Sequence, residues 1–269
     1  MSGATTAAAP PRTVAPGGVR DALDRLAAAQ KTSSGAPAYS RWVNRRLGRW
    51  AAAVASTTRV TPDQVTALSA LCTFTGIALL ALLPAGVTAA VLVPLLLLVG
   101  YALDSADGQL ARLRGGGSPA SEWLDHVVDA TKIAVLHLAV GVSWILSPEE
   151  RGALVVVPFA YQVVATVAFF AIVLTEQLRR QEARRAGLAA PERPRTGVLY
   201  SLAVVPTDYG LLCLVFALLA WPAGFTAAYL LLCAANTAYL ALALPKWWRE
   251  LRAVGTAGVA AAPPAGVAS

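Results

Sequence analysis

Six apolar stretches, each long enough for a membrane-spanning helix, limit what this sequence can fold into. A helix needs about 20 apolar residues to cross the roughly 30 Å hydrocarbon core of a bilayer. With approximate ends, the stretches are Gln64–Leu83, Ala89–Leu110, Trp123–Leu146, Ala153–Leu174, Val198–Trp221 and Phe225–Leu244. Pro206 and Asp208 interrupt the fifth of them. Because 57% of the 269 residues are hydrophobic and only 14% are charged, we predict an all-α, polytopic membrane protein with six transmembrane helices rather than a disordered or soluble globular chain.

The positive charges follow the pattern of membrane topology. The formal net charge is +7, but the basic residues lie beside the apolar stretches and form no stripe with interleaved aromatics, so we expect no nucleic-acid partner. If all six stretches cross the membrane, every strongly basic segment falls on one side. The opposite turns Pro84–Thr88 and Pro222–Gly224 carry no charge. We therefore predict a multi-pass protein of the cell membrane with both termini in the cytoplasm.

The ends of the chain differ from its apolar centre. Residues 1–37 are rich in Ala, Pro, Gly, Ser and Thr and predict a disordered cytoplasmic tail. Residues 38–252 would form the membrane domain, and 253–269 a second disordered tail. Within Tyr39–Ser56, Arg alternates with apolar residues, which predicts an amphipathic juxtamembrane helix lying on the membrane lipid. A capping Thr, a Pro and a Gln in Thr61–Gln64 predict where the first span begins.

Acidic residues concentrate where the second and third spans meet. Five of the 15 acidic residues lie within 26 positions: Asp104, Asp107, Glu122, Asp125 and Asp129. Asp104 and Asp107 are one helical turn apart, as are Asp125 and Asp129, so each pair shares a helix face. The short link between the spans contains Gly115–Gly117 and predicts an antiparallel hairpin. We therefore expect the two pairs to face each other at the cytoplasmic end of the hairpin.

Four converging carboxylates repel one another unless cations neutralise them. Arg112 and Lys132 supply too little positive charge for this, and no set of His and Cys residues suggests zinc. Mg²⁺ prefers oxygen ligands and commonly keeps substrate phosphates in its coordination shell. We predict Mg²⁺ or Mn²⁺ as the cofactor and expect two ions, since one or two hard divalent cations could neutralise the four carboxylates.

The segment 104–129 also resembles a known signature. It reads D-S-A-D-G-Q-L-A-R-L-R-G-G-G-S-P-A-S-E-W-L-D-H-V-V-D and closely resembles D-x2-D-G-x2-A-R-x8-G-x3-D-x3-D, the signature of the class I CDP-alcohol phosphotransferase (phosphatidyltransferase) family. The matching positions are Asp104, Asp107, Gly108, Ala111, Arg112, Asp125 and Asp129. Ser121 stands where the family has its second glycine. Pro62–Thr66 resembles the family's Pro-Asn-x-x-Thr opening, with Asp63 in place of Asn.

The resemblance implies an enzyme of phospholipid biosynthesis. Such an enzyme transfers a substituted phosphate, here expected to be phosphatidyl, from a CDP-alcohol such as CDP-diacylglycerol to an acceptor hydroxyl and releases CMP. By motif position the metal ligands would be Asp104, Asp107, Asp125 and Asp129, and the nucleotide-binding residues would be Asp104, Gly108, Ala111 and Arg112. Asp129 would also be the catalytic base. The resemblance further implies a homodimer with a cytoplasmic active site.

Residues for the acceptor, a small polar alcohol, are harder to read from the sequence. Lys132 follows Asp129 by one turn and either binds the acceptor or only balances the acidic cluster. Asp208 either hydrogen-bonds acceptor hydroxyls or caps a broken helix. Arg179 and Arg195, in the loop after the fourth span, either bind phosphate or serve topology and anionic headgroups. If these residues bind phosphate, the acceptor is a phosphorylated polyol such as inositol phosphate or glycerol phosphate.

Two other functions fit the acidic pairs. An aspartate-rich membrane prenyltransferase also uses acidic pairs, Mg²⁺ and a diphosphate, but it would release pyrophosphate rather than CMP. A non-enzymatic divalent-cation transporter would carry acidic residues at mid-membrane on several helices. Here the acidic residues cluster at one end of two neighbouring predicted helices, which favours the transferase.

Overall fold

The regular structure in the described part of the chain is helical throughout. The computed structural model describes residues 17–28, 37–147, 151–185, 187 and 204–260, with side chains up to residue 253. In chain order the α-helices are α1 (Val19–Ala28), α2 (Arg45–Ser56), α3 (Pro62–Leu82), α4 (Val87–Leu113), α5 (Pro119–Leu146), α6 (Val156–Arg185), α7 (Tyr209–Val215) and α8 (Pro222–Ala260). A π-helical turn, Ser40–Asn44, precedes α2, and 3₁₀ turns occupy Gly152–Val155, Val205–Thr207 and Phe216–Ala220.

Five helices of the described residues are long and apolar enough to cross a membrane. They are α3, α4, α5, α6 with its preceding 3₁₀ turn, and α8. This agrees with an all-α, multi-pass membrane protein. The predicted count of six spans is not confirmed.

The fifth predicted span, Val198–Trp221, accounts for the difference. Residues 198–203 lie outside the described part of the chain, and α7 begins only at Tyr209, where the Asp208 carboxylate accepts a hydrogen bond from the Gly210 N–H. Helix α7 has 7 residues and the following 3₁₀ turn has 5. At about 1.5 Å per α-helical residue and about 2.0 Å per 3₁₀ residue, they span about 20 Å, less than the roughly 30 Å hydrocarbon core. Because Pro206 and Asp208 end the preceding turn and start a new helix, the apolar stretch does not continue as one α-helix.

Helix α3 begins where the sequence predicted. Thr61 and Gln64 form a capping box in which the Gln64 N–H donates to Thr61 Oγ1 at 3.2 Å and the Thr61 N–H donates to Gln64 Oε1 at 2.9 Å. Small residues then bring α3 against α4: Ser69 Oγ donates to the carbonyl oxygen of Gly100 at 2.8 Å. A Cβ on Gly100 would overlap Thr73. This close approach fixes α4, the helix that carries the first acidic pair.

Helix α2 packs against α4 through its small residues. Gly48, Ala52 and Ala53 are buried, and a Cβ on Gly48 would lie 2.6 Å from Ser105 Oγ. On the outer side, Leu47 and Trp50 are 48% and 58% exposed. A helix with exposed apolar residues therefore lies within the predicted segment Tyr39–Ser56, while its juxtamembrane role and its position on the membrane surface stay predictions.

Helix α1 lies inside the segment predicted to be disordered, and that prediction is wrong for these residues. Its apolar residues follow the i, i+3, i+4, i+7 pattern of an amphipathic helix, namely Val19, Ala22, Leu23 and Leu26. Ala22 and Leu26 are buried against α2 and α4, and the Arg25 guanidinium donates to the carbonyl oxygen of Leu113 at 3.1 Å. At the other end α8 continues to Ala260, past the predicted boundary at residue 253. The remainder of both predicted tails lies outside the described residues.

Replacing Gly100 with Ala is expected to destabilise the contact between α3 and α4, because the new Cβ would overlap Thr73 Oγ1 and lie 3.1 Å from the carbonyl oxygen of Ser69. Overpacking of this kind costs about 1–3 kcal/mol. The melting temperature of the detergent-solubilised protein should therefore fall for Gly100→Ala. Gly86→Ala is the matched control, because a Cβ on Gly86 would meet no atom within 4 Å. Equal melting temperatures for the two variants would contradict this description of the packing.

Candidate metal and nucleotide site

The turn between α4 and α5 forms the hairpin that the sequence predicted. Gly115 and Gly116 have φ values of 96° and 119°, a left-handed conformation that favours glycine. Helix α5 then begins with a capped first turn: the Ser121 N–H donates to Ser118 Oγ at 3.0 Å, and Pro119 occupies the first turn. The end of α4 and the start of α5 therefore lie side by side.

Three carboxylates converge at this end of the hairpin. One oxygen from each of Asp104, Asp125 and Asp129 lies within 4.8 Å of the others. Two oxygens on opposite sides of a Mg²⁺ ion are about 4.2 Å apart, since each bond is about 2.1 Å long. The three side chains are therefore close enough to share a divalent cation after small adjustments. A set of carboxylate oxygens without His or Cys fits Mg²⁺ or Mn²⁺.

Asp107 makes its hydrogen bonds outside this group of three carboxylates. Its Oδ2 accepts a hydrogen bond from Thr66 Oγ1 of α3 at 2.5 Å, and its Oδ1 accepts one from the Gly108 N–H. The residue is only 6% exposed. The structure thus brings together three of the four predicted ligands, and the role of Asp107 as a metal ligand stays a prediction.

Lys132 lies within the cluster. Its Nζ contacts Asp129 Oδ1 and is 3.9 Å from Asp104 Oδ1. The lysine side chain is 9% exposed, and the ammonium lies 5.0 Å from the centre of the Tyr209 ring. One ammonium among three carboxylates leaves the cluster with excess negative charge if the carboxylates are ionised, which is the electrostatic requirement of a cation site.

The predicted nucleotide-binding residues lie on α4 next to the cluster. A Cβ on Gly108 would meet only Arg112 Nη1, at 3.8 Å, so the helix face beside Gly108 has room for a ligand. Ala111 is buried, whereas the Arg112 side chain is exposed. A small residue beside an available guanidinium suits close approach of a diphosphate.

The other predicted acceptor residues contact different partners. Both oxygens of Asp208 accept backbone hydrogen bonds, one from the Ser40 N–H and one from the Gly210 N–H, each at 3.0 Å. Arg179 forms an ion pair with Glu250 of α8. Arg195 lies outside the described residues. Of the predicted acceptor residues that are described, Lys132 is therefore the one that lies at the carboxylates.

Two side chains at the site carry roles that the sequence did not indicate. Thr66 appeared only as part of the opening motif, yet its hydroxyl holds Asp107 across two helices. Tyr209 gave no signal, because its contact with Lys132 joins residues 77 positions apart on different helices. Contacts of this kind have no periodicity along the chain.

The family model for CDP-alcohol phosphatidyltransferase matches residues 59–247. Together with the carboxylate site, this defines a multi-pass membrane enzyme that transfers substituted phosphate groups in phospholipid biosynthesis. The chain belongs to the CDP-alcohol phosphatidyltransferase family. Membership in this family argues against both the prenyltransferase and the cation-transporter hypotheses.

Two solved structures of Mycobacterium tuberculosis phosphatidylinositol phosphate synthase (PgsA1) are similar to this chain. The structure with CDP-DAG bound is 19% identical, with a TM-score of 0.48, and the match covers 77% of this chain and 94% of that one. The structure in complex with manganese and citrate is 20% identical, with a TM-score of 0.45, and the match covers 77% and 89%. No curated protein sequence matches the chain significantly.

Asp125→Asn is expected to weaken metal binding, because it removes one of the three converging carboxylates. Ligands that bind only the folded protein raise its melting temperature by mass action. Mg²⁺ and Mn²⁺ should therefore stabilise the wild-type protein in detergent, and the variant should need at least about tenfold more metal for the same rise. Asp24→Asn, at an exposed position on α1, is the matched control. Identical metal titrations for the two variants would contradict the assignment of Asp125.

Proposed function

We propose that this protein transfers a phosphatidyl group from CDP-diacylglycerol to a hydroxyl of a phosphorylated polyol and releases CMP. The observation that carries this proposal is the convergence of Asp104, Asp125 and Asp129 beside the open helix face at Gly108. A divalent-cation site next to a surface that admits a diphosphate is what transfer from a CDP-linked donor requires.

The metal and the nucleotide would be held mainly by α4 and α5. Asp104, Asp125 and Asp129 would hold one or two Mg²⁺ or Mn²⁺ ions, and Asp107 stays a candidate fourth ligand. When bound, these ions would neutralise the diphosphate and stabilise charge that develops on its oxygens. Gly108 and Ala111 would let the nucleotide lie close to α4, while Arg112 would bind the diphosphate through charge-assisted hydrogen bonds.

The reaction itself would be a direct in-line displacement. Asp129 would accept the proton of the acceptor hydroxyl as general base, and the acceptor oxygen would attack the phosphorus that carries the diacylglycerol group. The bond from that phosphorus to the CMP oxygen would break, and CMP would leave with the bonding electrons. The signature contains no Ser–His–Asp or Cys–His nucleophile set, so we propose no covalent enzyme intermediate.

Acceptor recognition would rest on Lys132, whose ammonium has three hydrogen-bond donors. One of these points at Asp129, which would leave donors for the phosphate of inositol phosphate or glycerol phosphate. Asp208 and Arg179 are used in structural contacts. Arg195 stays a candidate for a second phosphate contact.

The site would face the cytoplasm. The strongly basic segments adjoin the same ends of the spans as the carboxylates, which supports cytoplasmic termini and a cytoplasmic site. We further propose that α7 and the residues preceding it complete a sixth crossing, that the donor's acyl chains lie between helices, and that the enzyme is a homodimer.

The proposal is tested by offering purified protein CDP-diacylglycerol with Mg²⁺ or Mn²⁺ and a panel of acceptors. Glycerol phosphate, inositol phosphate, inositol and serine come first, with CMP and the lipid product measured together. We expect CMP release that depends on the metal and on a phosphorylated polyol. Release with inositol or serine alone would contradict the proposed acceptor class, and a phosphorylated enzyme intermediate would contradict direct displacement.

Asp129→Asn is expected to lower kcat by about 10²–10⁴-fold, since it removes the proposed general base together with a metal-binding oxygen. The measurement is CMP release with saturating donor, acceptor and metal. Glu122→Gln is the matched control on α5, because Glu122 pairs with Arg180 rather than with the cluster. Turnover at the wild-type rate in Asp129→Asn, with Glu122→Gln also active, would exclude Asp129 as the base.

A further inference from the structure

The aromatic ring of Tyr209 lies against the ammonium of Lys132, at a distance of 5.0 Å from Nζ to the ring centre. The face of an aromatic ring attracts a cation within about 6 Å. The four-carbon stem of Lys132 is flexible, and besides the ring its ammonium contacts Asp129 and lies 3.9 Å from Asp104 Oδ1. The ring therefore limits where the ammonium sits relative to Asp104 and Asp129.

Tyr209 is itself fixed by contacts on several sides. It is the first residue of α7, and the Asp208 carboxylate that caps this helix also accepts the Ser40 N–H from the π-helical turn. The ring of Tyr39 packs directly on Gly210, leaving no room there for a Cβ. The Tyr101 ring of α4 meets Tyr209 edge to face, with ring centres 5.0 Å apart. The orientation of the Tyr209 ring is thus set by elements before, within and after the signature.

We infer that Tyr209 is a positioning residue that holds the Lys132 ammonium at the carboxylates for the acceptor's phosphate, and that Asp208 supports Tyr209. This inference rests on the proposed function, because it takes Lys132 as the acceptor-binding cation. It gives Asp208 the role of capping α7 instead of the role of hydrogen-bonding acceptor hydroxyls. Neither residue would touch the reacting atoms.

Two substitutions distinguish the cation–π contact of the Tyr209 ring from its contribution to apolar packing. Tyr209→Phe keeps the aromatic face and loses the hydroxyl, whereas Tyr209→Leu loses the face and keeps an apolar side chain. Phe74→Leu is the matched control, because Phe74 is also a partly buried aromatic residue packed against the same core cluster as Tyr209. Each variant is purified in detergent as the full chain, and its melting temperature is measured first.

The first readout needs neither metal nor turnover. Glycerol phosphate and inositol phosphate are titrated into protein kept in EDTA, and the rise in melting temperature reports binding. A cation–π contact of about 1–2 kcal/mol corresponds to about a five- to thirtyfold change in affinity. We expect wild type, Tyr209→Phe and Phe74→Leu to respond alike and Tyr209→Leu to need about five- to thirtyfold more acceptor.

The second readout is steady-state CMP release with metal present. Tyr209→Leu should raise the acceptor KM by about the same factor and leave the donor KM unchanged. If Tyr209→Leu only lowers the melting temperature, as Phe74→Leu would, the inference is overturned while the proposed function stands. If wild-type protein releases CMP without binding or using phosphorylated acceptors, the proposed acceptor class fails, and the inference fails with it.

Asp208→Ala distinguishes support from direct contact. Loss of the cap should lower the melting temperature and raise the acceptor KM by no more than Tyr209→Leu does, and Asp208→Asn should partly restore both values because it keeps one acceptor oxygen. A larger increase in acceptor KM for Asp208→Ala than for Tyr209→Leu would place Asp208 at the acceptor and overturn the supporting role assigned here.

Discussion

Mutual repulsion among three carboxylates, when they are ionised, is what the helix packing at this site must overcome. Asp104, Asp125 and Asp129 approach within 4.8 Å of one another, and two unit charges 4 Å apart repel by about 4 kcal/mol at an effective dielectric constant of 20. Helix packing must hold them together against this repulsion. Lys132 offsets part of it, and a divalent cation would offset the rest. The same unbalanced charge that opposes folding is therefore what makes the site able to bind a metal and, through it, a diphosphate.

The rigidity needed for this arrangement comes from the surroundings of α4. Helix α3 packs closely against it at Gly100, next to backbone atoms of Ser69 and Thr73, and α2 packs against it at Gly48, next to the side chains of Ser105 and Gln109. The side-chain amide of Gln109 on α4 donates to the carbonyl oxygen of Arg45 at 3.3 Å, so a hydrogen bond also joins α4 to α2. Helix α1 adds Arg25 at the last turn of α4. A site is held accurately only when the elements behind it are themselves fixed, and these four contacts with α4 use a small or a hydrogen-bonded residue.

The sequence predicted the features that depend on local periodicity. Apolar length predicted the long helices, the i, i+3 and i, i+4 spacings predicted the carboxylate faces, and Thr61–Gln64 predicted the start of α3. The features it missed depend on contacts between distant residues: the hydrogen bond from Thr66 to Asp107 and the hydrogen bond from Ser40 to Asp208. Helix α1 was missed for another reason. Its apolar pattern is visible in the sequence, but it lies in a segment whose overall composition is typical of disordered chains. The count of six spans is not confirmed at the point where Pro206 and Asp208 already interrupt the apolar run.

Ser121 stands where the family has a glycine, and the start of α5 accommodates it. Glycine is required where φ is positive or where a Cβ would collide, and in the described residues positive φ occurs only at glycines, so Ser121 has an ordinary backbone conformation. The residue lies in the first turn of α5, where its N–H donates to Ser118 Oγ and its own hydroxyl lies 3.0 Å from that same oxygen. Its side chain is therefore accommodated within the cap of α5. The positions of Asp125 and Asp129, one and two turns further along the helix, do not depend on a glycine at this point.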